Sequence, residues 1–127
     1  MKMNENAKHD IDFYKYVLMK IADAKSDICE KVSELDNPNF YNCKEYSDSI
    51  SSITGLESLV DSIFFKMCTG DICGRLYDEI IINLNCHISR SHRGLDKKSI
   101  MSFESSKEFM NNVHKEWLNR KDNSDGK

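Results

Sequence analysis

The stretch IDFYKYVLMKIADAKSDICEKVSEL, residues 11–35, decides the fold class. Its residues Ile11, Tyr14, Leu18, Ile21, Lys25, Ile28, Val32 and Leu35 follow one another in alternating steps of three and four. That spacing returns to one side of an α-helix at every turn, so it predicts a helix about seven turns long, interrupted only by the charge at Lys25. Asp10 is placed to cap its start. Asn37-Pro38 ends it, because the residue before proline avoids the α region.

The rest of the chain has the same period. Between Asn39 and Ser52, Phe40, Tyr41, Cys43, Tyr46 and Ile50 predict a short second helix or an irregular packed segment. Thr54-Gly55-Leu56-Glu57 then has capping-box spacing and predicts a new helix with Leu56, Leu59, Val60, Ile63, Phe64 and Met67 on its apolar side. Thr69-Gly70-Asp71 reads as a stop and restart, with Gly70 free to turn left-handed and Asp71 able to cap the next helix. Ile72, Leu76, Ile80, Leu84 and Ile88 then repeat every four residues, and this outweighs the short β-branched run Ile80-Ile81-Ile82. Ser89 to Lys98 is polar and basic and reads as a loop. Ile100, Met101 and Phe103 form a staple or extra turn, and Ser105 to Glu108 opens a last helix carrying Phe109, Met110, Val113, Trp117 and Leu118.

Composition agrees. One proline and five glycines among 127 residues leave too few turn formers for an all-β domain. The expected architecture is all-α, a compact antiparallel bundle of four to five helices: a flexible start at 1–9, one helical domain at 10–120 and a disordered tail at 121–127. No segment has the apolar length of a membrane span, and none resembles a signal peptide. Five cysteines, an odd number scattered through helical segments, fit reduced thiols in a cytoplasmic setting better than a disulfide framework.

The net charge of −3 arises from 21 acidic and 18 basic residues well mixed along the chain, which disfavours nucleic-acid binding over the whole surface. A local patch remains open: Arg90, His92, Arg93, Lys97 and Lys98 gather positive charge after a helix end, where it either complements the helix dipole or meets phosphate or an acidic partner. Cys68, Cys73, Cys86, His87 and His92 loosely suggest a zinc site. However, Cys68 and Cys73 straddle a helix break, and the neighbours Cys86 and His87 point about 100° apart, so small apolar core residues are the better reading of the cysteines.

Catalytic arrangements are not visible. There is no nucleophile elbow, phosphate-cradling glycine loop or paired metal-binding histidines, and no arginine precedes a histidine by four to six residues as in small helical ribonucleases. The adjacent Asp78 and Glu79 fit a solvated helix side. Aromatic residues are the stronger signal: Phe13, Tyr16, Phe40, Tyr41 and Tyr46 exceed what one side of a thin bundle buries, and such rings anchor protein interfaces. Trp117, in register with Phe109 and Val113, belongs to the core. The expectation is a small non-catalytic protein-binding module without a cofactor, of the inhibitor, immunity or host-factor-antagonist kind, or a self-associating adaptor. Its partner is another protein or itself. A nucleic-acid-associated protein using residues 90–98 is the second reading, and a Cys/His metal-binding protein the third.

Overall fold

Helical periodicity runs through nearly the whole chain, and the computed structural model, which describes residues 4–125, resolves it into four α-helices. These are α1 (Glu5–Ser33), α2 (Phe40–Cys68), α3 (Leu76–Arg93) and α4 (Lys97–Asp125). Side-chain pairs set their directions. Tyr77 of α3 stacks on His114 of α4, and His87 stacks on Phe103, so the two helices run antiparallel. Asp48 pairs with Lys98 and Ser52 with Ser102, so α2 and α4 run parallel, as diagonal members of an up-down-up-down bundle. Among the described residues there is no strand, and no helix is long and apolar enough to cross a membrane.

The helix starts correct the local reading. Asn4, not Asp10, caps α1: its side chain accepts the Asn6 amide at 2.9 Å. Residues 5–9, expected to be flexible, are helical, and Ala7 is fully buried. α2 is continuous, started by Asn39 in a reciprocal capping box with Asn42, so the expected break before Thr54 is absent. Glu57 instead reaches Lys25 of α1 at 2.9 Å. α3 runs through residues 89–93, and the expected long loop shrinks to Gly94-Leu95-Asp96. Asp96 then caps α4 by accepting from the Ser99 amide and hydroxyl. Ser105 to Glu108 therefore lies inside α4, which reaches Asp125 and includes 121–125 of the expected tail; residues 1–3 and 126–127 lie outside the described residues. A capping-box spacing acts only where the chain arrives from outside a helix, and none of these inner ones sits at such a point.

Asp10 does cap a helix, but a different one. Arg75, which precedes α3, makes no side-chain cap of its own. The Asp10 carboxylate crosses from α1 to accept the Leu76 amide at 2.8 Å and the Arg75 guanidinium at 2.7–3.1 Å. Asp71, expected in that role, accepts from the Thr69 hydroxyl instead. Gly70 is left-handed as predicted, with φ 84°, and the Asp71 amide returns to the Lys66 carbonyl at 2.9 Å.

The core gathers Val17 and Ile21 from α1, Val60 and Met67 from α2, Leu76, Ile80 and Leu84 from α3 and Met110 from α4, all fully buried. Each is worth roughly 1.5–3 kcal/mol in burial. The inward side of α1 centres on Ala7, Asp10, Phe13, Val17 and Ile21, displaced from the expected stripe, whose Ile11 and Tyr14 pack at the core edge. The reason is that α1 must meet α2 on one flank and α3 and α4 on the other.

Candidate protein-binding groove

Serine-rich runs explain the most distinctive feature of the bundle. Ser49, Ser51 and Ser52 of α2 and Ser102, Ser105 and Ser106 of α4 are too small to hold their helices apart, and the Ser52 and Ser102 hydroxyls hydrogen-bond directly. The diagonal helices therefore touch, and a groove opens on each side of the contact. The smaller, about 340 Å³, lies toward α3 and has His87 and Phe103 in its wall. The larger, about 690 Å³, lies between α1, α2 and α4.

The larger groove has an apolar floor and a charged lip. Ile28, Ile53, Leu56 and Phe109 form the floor, and Met101, 69% exposed, stands at the edge. Glu45, Asp48 and Lys98 line the lip, with Lys98 at 3.8 Å from Asp48 and Glu45 in no ion pair among the described residues. An apolar floor edged by charge and hydroxyls is the layout of a recognition surface.

The predicted aromatic anchors separate into two groups. Phe13 and Tyr16 are core residues, so they are unavailable as surface anchors. Trp117 covers both rings, with centroids at 5.8 and 5.2 Å, and the Tyr16 hydroxyl donates to Glu116. Lys20 holds Glu116 at 2.8 Å, keeping that carboxyl below its ordinary range. Tyr41 is exposed and, in steps of four, three and four, leads through Glu45 and Asp48 to Ser52, along the α2 stripe that enters the groove. Tyr46 is half-buried. Phe40 opens α2, and its side chain lies outside the described residues.

Arg90, His92 and Arg93 occupy the last turn of α3 and Lys97 and Lys98 the start of α4, so the basic set flanks a three-residue turn and every member is exposed. The Cys/His set is not brought together. Cys73 precedes α3 and His92 lies in its last turn, about 24 Å of helical rise beyond Leu76, and His87 is stacked on Phe103. No three His, Cys, Asp or Glu residues among those described are grouped to hold a metal ion. The cysteines are not core residues either: Cys29, Cys73 and Cys86 are exposed, and Cys43 and Cys68 half-buried. Sequence reasoning missed the groove and Leu95. The serine runs signalled the first; the order Gly94-Leu95, with glycine one place early for a left-handed turn, signalled the second.

No protein family, curated protein or solved structure matches the chain.

Proposed function

We propose that this chain is a small non-catalytic protein-binding module, of the inhibitor, immunity or host-factor-antagonist kind or a self-associating adaptor, that seats an apolar segment in the groove between α1, α2 and α4. The observation that carries the reading is the groove itself: about 690 Å³ with Ile28, Ile53, Leu56 and Phe109 beneath and Met101 exposed at its edge. Tyr41 extends the contact along α2. Exposed thiols at Cys29, Cys73 and Cys86 suit a reducing, cytoplasmic setting.

The test compares affinity capture by the wild-type chain with capture by Ser105→Trp, which fills the groove. A protein held by the first and lost by the second, with little change between low and moderate salt, supports the reading. The basic corner at Arg90, His92, Arg93, Lys97 and Lys98 favours nucleic acid as the second reading. Capture of RNA or DNA that survives Ser105→Trp, falls steeply with salt and vanishes on charge reversal of Arg90, Arg93 and Lys97 overturns the first reading in favour of the second.

A further inference from the structure

Two helix ends in this chain use the same turn with different residues. After α2 the left-handed position is Gly70, with φ 84° and the Asp71 amide returning to Lys66. After α3 it is Leu95, with φ 57° and the Asp96 amide returning to Ser91 at 2.9 Å. A leucine there is strained by its Cβ. Packing does not compensate, because Leu95 is 85% exposed. Strain maintained to display an apolar side chain points to a contact outside the chain.

The surroundings of Leu95 define that contact. The turn is hydrogen-bonded on both sides: Leu95 donates its amide to the His92 carbonyl, and Asp96 accepts from Ser99 as the α4 cap. Arg90 and Arg93 precede it on the last turn of α3, Lys97 follows it on the first turn of α4, all three are exposed, and none forms an ion pair among the described residues. Such a peg fits an apolar cavity with a carboxylate lip, and this chain carries one: the groove with Ile53, Leu56 and Phe109 in its floor and Glu45 and Asp48 on its edge. Lys98 lines the groove and follows Leu95 by three residues, so peg and groove are neighbours on one end of the bundle. Adjacent, mutually complementary elements allow two copies to exchange contacts reciprocally about a two-fold axis, with no open end left over.

We propose that this end of the bundle is a self-association surface, where the Leu95 turn of each copy seats in the α1/α2/α4 groove of the other and Arg90, Arg93 and Lys97 meet Glu45 and Asp48. This rests on the reading of the groove as a protein-binding site and names its occupant as a second copy. An exposed leucine between cations favours an apolar protein cavity with carboxylates at its lip over a phosphate backbone, which offers the side chain nothing to bury against.

Sedimentation velocity over a concentration series tests it. The wild-type chain is expected to dimerise. Leu95→Gly removes both pegs while relaxing the turn, so it should weaken the dimer about a hundredfold, with an unchanged or raised melting temperature at concentrations where both chains are monomeric. Glu45→Lys alone should be monomeric, as should the chain with Arg90→Glu and Arg93→Glu, because each then sets like charges against like. Mixing these two variants restores opposite charges at both contacts and should restore dimers. A wild-type chain that stays monomeric throughout the series, or a dimer indifferent to Leu95→Gly, overturns the proposal. A monomeric chain whose groove still captures a different protein, sensitive to Ser105→Trp, overturns it too while leaving the protein-binding reading standing.

Discussion

Asp10 holds Arg75 through three hydrogen bonds of 2.7–3.1 Å, and the same carboxylate accepts the first amide of α3. One side chain thus neutralises a cation and caps a helix 66 positions away. Asp10→Ala leaves the Leu76 amide unpaired and should cost about 2–3 kcal/mol, combining a lost cap with lost charge-assisted bonds. Asp10→Asn keeps a capping oxygen and should cost about 1 kcal/mol. Urea unfolding of the two variants checks the order, and equal losses would contradict the capping role.

Leu95→Gly should raise the stability of the monomer. The left-handed leucine costs about 1–2 kcal/mol, of which the greater unfolded-state freedom of glycine takes back part, leaving a gain of about 0.5–1 kcal/mol. The measurement belongs at protein concentrations low enough to keep association out of the comparison.

Tyr14 predicts an alkaline limit. Its ring stacks on Phe64 at 4.1 Å and its hydroxyl donates to Asp61 at 2.6 Å; burial first, and that carboxylate second, push its pKa up to about 12 from 10.0. A folded pKa above the unfolded one contributes stability that is complete below about pH 10 and is lost as pH rises to about 12. Tyr14→Phe should cost about 1 kcal/mol at neutral pH and flatten this part of the profile. Thermal unfolding of both chains over that interval, with identical slopes as the contrary result, decides it.

His114 predicts an acid limit of opposite sign. It lies flat on Tyr77, centroids 3.7 Å apart, and edge-on to Phe13; burial lowers its pKa below 6.5, against the opposing charge of Asp78. The folded state therefore prefers the neutral ring. Its contribution is complete above about pH 6.5 and declines as pH falls through the folded-state value. The difference in unfolding free energy between wild type and His114→Phe should shift in favour of the variant as pH drops from about 7 to 5. A constant difference would show that the ring's neutrality does not matter to the fold.

Several features of the fold were legible in residues that act locally. The periodic run of α1, the left-handed Gly70 and the stripe from Leu56 to Met67 need only a helix and its neighbours to be read. Asp10 was misread because its partner is distant in sequence, while the nearer Asn4 caps α1. Thr54 and Ser105 carry cap spacing in mid-helix, where packing of a continuous apolar stripe overrides it. Phe13 and Tyr16 read as surplus aromatics because only one inward stripe was counted, whereas α1 faces two flanks of the bundle. The groove was hidden for a similar reason. Serine runs resemble a polar linker until two of them meet across a diagonal.

α3 has 18 residues against 29 in each of its three companions, a shortfall of about 16 Å of rise. No residue from 22 to 33 of α1, and none from 41 to 55 of α2, is buried. Opening that hairpin end disrupts half-buried contacts only, so its amides should exchange with solvent through local excursions at a small fraction of the global unfolding free energy. Amides from Val60 to Met67 and from Glu79 to Leu84, which donate within their helices inside the four-helix section, should exchange only on global unfolding. Whatever occupies the groove would bridge the loose section to α4, and would be detected as slowed exchange in residues 22–33 and 41–55, many of which it never touches.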